Sequence, residues 1–235
     1  MLLLPVLFST ASAGERVFAH SYGYGTVPKG GVEVEHYATV FAKPGDRNFW
    51  EQQIELEYGV TDRLEAGLYV VGTQWDDEAL TFKKYKGRLR YRLGSEGVGP
   101  VDTNLYLEYI GTPTFDAHGV EAKLIFAKSV GRFTSALNLE YKVEFEAGEV
   151  VHEIEPTVGA GYKVVDWAYV GAEGRFEEYF LPSGLKGPFA WAGPSVHLMG
   201  EGGKIWWTLA VILPLTEHTT TYGGPIGRSL IAVNL

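Results

Sequence analysis

Between residues 83 and 93 the chain alternates strictly, with Lys84, Lys86, Arg88, Arg90 and Arg92 on one phase and Tyr85, Leu89, Tyr91 and Leu93 on the other. A period of two places successive side chains on opposite faces of an extended strand. One face of this strand is therefore cationic and the other apolar, and each needs its own solvent. The same rhythm recurs in segments bounded by turn residues: 30–43, 47–60, a third from Leu64 to Val70, 83–93, 101–112, 119–130, 132–147, 150–164, 167–180, 189–199, 205–215 and 227–235. No run approaches the roughly 18 apolar residues of a membrane helix. If the chain crosses a membrane it does so with strands, and only a closed barrel satisfies their backbone there. The predicted fold is all-β, a transmembrane antiparallel barrel of about 12 strands.

Connection lengths fit that fold. With the first strand running outward, the periplasmic turns fall at 61–63, 94–100, 130–132, 165–166 and 200–203, and longer exterior loops at 72–82, 112–118, 181–188 and 216–226, with Pro44 to Asp46 a short exception. Trp50, Tyr58, Tyr109, Tyr141, Tyr162, Trp167 and Trp207 fall near strand ends, where aromatic girdles sit at the membrane boundary. Residues 1–13, MLLLPVLFSTASA, carry an apolar run closed by Ala11-Ser12-Ala13, the small-residue pattern of signal-peptidase cleavage. The expected organisation is a signal peptide over 1–13, an N-terminal segment over 14–29 that is either periplasmic or a plug, and a barrel over 30–235. The expected location is the bacterial outer membrane, in contact with its lipid and lipopolysaccharide.

The segment Glu55-Leu56-Glu57-Tyr58-Gly59-Val60-Thr61-Asp62-Arg63-Leu64-Glu65-Ala66-Gly67-Leu68 resembles a strand-turn-strand motif widespread in bacterial outer-membrane barrels. Among these are transporters associated with aromatic-compound degradation pathways. The resemblance spans two strands and implies a barrel in the outer membrane, with transport as the expected activity. Locally, Asp62 and Arg63 make a polar turn that the Thr61 hydroxyl can cap. The chain departs from such barrels at Val233-Asn234-Leu235, where they carry a terminal aromatic residue.

The inward phases nominate lumen-lining residues: Glu33, Glu35, Glu51, Glu55, Glu57, Glu65, Lys84, Lys86, Arg88, Arg90, Arg92, Glu108, Glu140, Lys142, Glu173 and Arg175. Such opposed ladders either pair into a network that fills the barrel or line a pore with a transverse field. The expected function is accordingly a channel or transporter for small solutes, with a plugged structural or surface-interaction barrel as the alternative. An outer-membrane lipid hydrolase is the enzymatic alternative. Ser195 and His197 have dyad spacing, but in reversed order and facing inward near the periplasmic end, so no enzyme is expected. Without cysteine there is no disulfide framework or thiolate metal site. The six histidines show no ligand spacing for a metal, no glycine loop opens a helix, and a net charge of −9 argues against nucleic acid. No cofactor is expected.

Overall fold

The computed structural model describes residues 15–235 apart from 44, 147 and 183, with the side chains of 185 and 201 left out of account. The expected signal peptide therefore lies outside the described residues.

Twelve strands close into one barrel in which each pairs antiparallel with its neighbours in the chain and the last returns to the first. They are β1 (Val32–Phe41), β2 (Phe49–Gly59), β3 (Leu64–Trp75), β4 (Thr81–Arg92), β5 (Asp102–Gly111) and β6 (Ala117–Val130). The second half comprises β7 (Phe133–Glu146), β8 (Glu149–Val165), β9 (Ala168–Leu181), β10 (Gly184–Met199), β11 (Ile205–Pro214) and β12 (Ile226–Asn234). Closure leaves no unpaired edge, which removes the backbone cost of exposing strands to an apolar medium.

Burial is inverted relative to a water-soluble sandwich. On β2, Ile54, Leu56 and Tyr58 are 54%, 49% and 48% exposed, whereas Glu55 and Glu57 between them are 0% and 1% exposed. The same inversion holds on β3 and β5, with Leu68 and Leu107 outside and Glu65 and Glu108 inside. The apolar phase thus makes the outer surface, and the charged phase fills the interior. Tyr58, Tyr109, Tyr141, Tyr162, Trp167 and Trp207 are exposed near the strand ends.

One end of the barrel carries tight turns. At 60–63 the Thr61 hydroxyl accepts from the Arg63 and Leu64 backbones at 3.2 and 2.9 Å, capping the hairpin as the sequence suggests. The other end carries the connections expected to be long, and three of them are more structured than expected. β3 continues to Trp75 because Asp76 ties two strands together, accepting from Trp50 Nε1 at 2.7 Å and from the Asn48 backbone at 3.0 Å. β10 starts at Gly184, within the expected 181–188 loop, with a bulge between Lys186 and Phe189. The 216–226 connection forms a short helix, α1 (Glu217–Tyr222), capped by Thr216 and bound to β10 through Ala190 N–H donating to Thr219 Oγ1 at 2.9 Å.

Residues 15–27 lie inside the barrel, and Pro28, Lys29 and Gly30 emerge from it before β1. Arg16, Phe18, Ala19, His20, Ser21, Tyr22, Tyr24, Thr26 and Val27 are all buried. The segment follows the inner wall around the barrel, meeting β11 and β10 first and then successively earlier strands until it enters β1.

Candidate functional site: the lumen

The inner belt is held mostly by its own backbone. Ala19 and His20 N–H donate to the two oxygens of Glu173 on β9 at 2.8 and 2.6 Å. On β8, Thr157 Oγ1 accepts from Ser21 Oγ at 3.1 Å. Asn138 on β7 embraces Tyr22, accepting from its N–H at 2.6 Å and donating to its carbonyl at 3.0 Å. Asn104 on β5 donates to the Tyr24 carbonyl at 2.9 Å, and Arg90 on β4 donates to that of Gly25. Val27 N–H donates to Glu65 on β3 at 2.6 Å, and Gly30 N–H to the Gly59 carbonyl on β2 at 2.8 Å. A buried extended chain must find a partner for each polar group, and here wall side chains supply what a neighbouring strand would. Glycine is required where the belt presses closest. A Cβ on Gly59 would fall 1.9 Å from the Pro28 carbonyl oxygen, and one on Gly159 would fall 2.6 Å from the Phe18 ring.

Charge in the lumen divides at the belt. Toward the turns, Arg88 reaches Glu55, Glu57 and Glu65 at 2.9, 2.5 and 2.6 Å, and Arg90 meets Glu65 at 3.2 Å. All five are at most 2% exposed, as are Glu33 and Glu35 on β1. Trp206 Nε1 donates to Glu33 at 2.9 Å. Arg16 donates to Tyr37 at 3.0 Å and approaches Glu35 at 4.0 Å. A planar guanidinium suits this region because it presents several donors without needing water.

Toward the loops the lumen opens into a chamber of about 210 Å³ floored by Arg16, His20 and Tyr22 of the belt. Its wall pairs Lys86 with Glu108 at 3.1 Å, Lys84 with Glu144 at 3.2 Å, and Arg175 with Glu155 and Glu177 at 2.8 and 3.1 Å. Lys123 joins Glu121 and Glu140 at 2.7 and 2.5 Å, and Lys142 joins Glu153. Above it, Phe41, Phe49, Trp75, Phe189 and Trp191 line an aromatic mouth with Lys43, Arg47 and Lys186 among them. Phe41, Arg175, Glu177 and Tyr179 line both spaces, so the mouth adjoins the chamber.

Of the nominated residues, Glu33, Glu35, Glu55, Glu57, Glu65, Arg88 and Arg90 lie in the packed half, and Glu173 anchors the belt. Glu51, Lys84, Lys86, Glu108, Glu140, Lys142 and Arg175 line the chamber. Arg92 stands apart from both, donating to the Asp62 carbonyl in the β2–β3 turn. The sequence reading missed Glu121, Lys123, Glu144, Glu153, Glu155, Glu177 and Arg228, although the inward phases of β6, β7, β8, β9 and β12 carry them. Asn138 falls on the polar phase of its strand in the sequence but was not nominated, and neither were Asn104 and Thr157; the value of all three lies in pairing with the belt. Ser195 and His197 do not form a dyad. His197 Nδ1 is 2.7 Å from Thr208 Oγ1, and its Nε2 is 2.5 Å from Glu15.

An apolar exterior, a closed antiparallel wall of twelve strands and a charged interior define an outer-membrane-type β-barrel with a porin-like fold. The chain belongs to a family of unknown function, DUF6662, whose model matches residues 10–128. No curated protein matches it. Among solved structures it is similar to the COG4313 outer membrane channel from Pseudomonas putida F1, at 11% identity over 90% of this chain and 98% of that one, with a TM-score of 0.60. It is also similar to the NanC porin, at 9% identity over 87% of this chain and 100% of that one, with a TM-score of 0.54. At these identities the likeness is one of fold.

Proposed function

We propose that the chain is a channel or transporter for small solutes in the bacterial outer membrane, entered from the loop end and gated at the periplasmic end by residues 15–27. The observation that carries this reading is the mouth and its adjoining chamber, which stop at a belt joined to the barrel wall by backbone hydrogen bonds as well as by the packing of Phe18, Tyr22 and Tyr24. Water can replace such bonds one by one, whereas an apolar plug would have to expose its whole buried surface. A purely structural barrel has no need of a charged chamber above a packed half. The likeness in fold to an outer membrane channel and a porin supports the same reading. The aromatic mouth with its cationic rim suits small flat anions, which agrees with the motif's resemblance to transporters associated with aromatic-compound degradation. The apolar wall and its aromatic girdles would sit in outer-membrane lipid and lipopolysaccharide.

The test is single-channel conductance in a planar bilayer, comparing the full chain with a Ser21→Cys/Thr157→Cys variant. The two hydroxyl oxygens are 3.1 Å apart and the chain has no other cysteine, so oxidation would staple the belt to β8. Ion-selective steps that oxidation abolishes and a reductant restores are expected. Silence from the folded chain, reduced or oxidised, would instead make this a plugged structural barrel.

A further inference from the structure

Below the belt, Glu33 and Glu35 on β1 and Glu57 on β2 approach with one carboxylate oxygen each within 4.8 Å of one another. They are 0%, 0% and 1% exposed. One oxygen of Glu33 accepts from Trp206 and one of Glu57 meets Arg88, whereas neither oxygen of Glu35 has a hydrogen-bond donor, the nearer standing 4.0 Å from Arg16. The other oxygen of Glu33 and that of Glu57 are likewise buried with no hydrogen-bond donor. A buried carboxylate oxygen without a partner is costly, and three together are costlier still because like charges in a poorly solvated site repel. The wider cluster is unbalanced in the same sense. Its buried carboxylates are Glu33, Glu35, Glu55, Glu57 and Glu65, and its buried cations are Arg16, Arg88 and Arg90. With all of them ionised, two negative charges remain uncompensated.

We propose that Glu33, Glu35 and Glu57 form a binding site for a hard divalent cation of calcium size, placed between the barrel wall and the belt. Two oxygens bound to one Ca²⁺ at about 2.4 Å are at most about 4.8 Å apart, so the observed approach suits three ligands on a common ion. An all-carboxylate donor set selects hard cations over softer transition metals. Two positive charges are also what the cluster lacks. Because Arg16 of the belt stands beside Glu35, the ion would brace the wall where the belt is seated.

Tb³⁺ serves as a luminescent probe for the site, with Trp206 as its antenna. The full chain, folded in detergent and excited through tryptophan, is expected to give terbium emission that saturates near one equivalent and is displaced by excess Ca²⁺. Saturating Ca²⁺ is expected to raise the melting temperature by about 5 °C. Glu35→Gln should abolish the emission, whereas Asp76→Asn, which alters the exposed loop carboxylate beside Trp50, should leave it intact. If Glu35→Gln does not fold, Trp206→Phe decides. It should lose most of the emission, which binding remote from Trp206 would keep. A folded wild type with neither emission nor shift overturns the site and leaves the trio to share protons. Emission that survives Glu35→Gln or Trp206→Phe, or that vanishes in Asp76→Asn, overturns it in favour of surface binding.

Discussion

The two halves of the lumen draw on the same strands and solve different problems. On β4 the inward residues change from Lys84 and Lys86 in the loop half to Arg88 and Arg90 in the turn half. The side chains of Lys84 and Lys86 are 41% and 18% exposed, and those of Arg88 and Arg90 are 0% and 1% exposed. Among the described residues no lysine is buried, whereas Arg16, Arg88 and Arg90 are. A compact ammonium keeps part of its hydration in the chamber, while a guanidinium distributes its charge over several acceptors where water is excluded. Arginine also serves the wetter half, as Arg175 and Arg228 show, so the rule runs one way: dryness demands arginine, and wetness permits either.

Removing Arg88 should break this comparison most severely. Glu55, Glu57 and Glu65 would lose a shared cation inside a packed interior, and Arg88→Ala should cost about 3–5 kcal/mol, read from urea unfolding of the barrel in vesicles. The sharper test exchanges the two kinds of cation. Arg88→Lys should cost about 1–3 kcal/mol because one ammonium cannot hold three carboxylates in that geometry. Lys86→Arg, in the chamber, should change stability by less than about 1 kcal/mol. Equal costs would show that dryness does not set the choice.

The wall was legible in the sequence, and the belt was not, for a physical reason. Most strands repeat one instruction, apolar outward and polar inward, so Ile54, Leu56, Glu55 and Glu57 announce their faces within a few residues, whereas β11 and β12 also turn Trp206, Ile212 and Leu230 inward. The lumen charges inherit that legibility, and Glu121 and Lys123 were missed although they obey it. The belt has no repeat to read. Tyr22 is placed by Asn138, and Ala19 by Glu173, through contacts of its own backbone with residues far along the chain. Any residue type offers the same N–H and carbonyl, so nothing in Phe18 to Tyr24 marks the route. Loop ends are partly hidden for a similar reason, since the extension of β3 rests on the single carboxylate of Asp76.

The belt itself can be loosened without touching a charge. Phe18 packs against the wall at Gly159, where an added Cβ would fall 2.6 Å from the ring. Gly159→Ala should weaken the seating of the belt by about 1–3 kcal/mol, the usual cost of overpacking. The stability of the barrel wall should stay nearly unchanged. Faster hydrogen exchange at the Ala19, His20 and Tyr22 amides, with strand amides unaffected, would separate the two. Under the proposed gating, the same variant conducts more readily than the wild type, and unchanged conductance would dissociate the belt from the gate.

A smaller effect on stability than at Arg88 is expected at Lys123 in the chamber, and there it should be most visible in conduction. Lys123 is held by Glu121 and Glu140 but remains 12% exposed, so water can take over part of its role. Lys123→Gln should cost about 1–3 kcal/mol, less than Arg88→Ala. Its charge, however, faces a wall where Glu51, Glu108, Glu121, Glu140, Glu144, Glu153, Glu155 and Glu177 slightly outnumber the basic side chains. Removing it makes the local potential more negative, which raises the concentration of cations along the path and lowers that of anions. The reversal potential in a salt gradient should therefore shift toward cation selectivity, most strongly at low ionic strength, where screening is weakest. A conducting Lys123→Gln barrel with an unmoved reversal potential would mean that current bypasses the chamber, and the division of the lumen into a packed half and a conducting half would then be wrong.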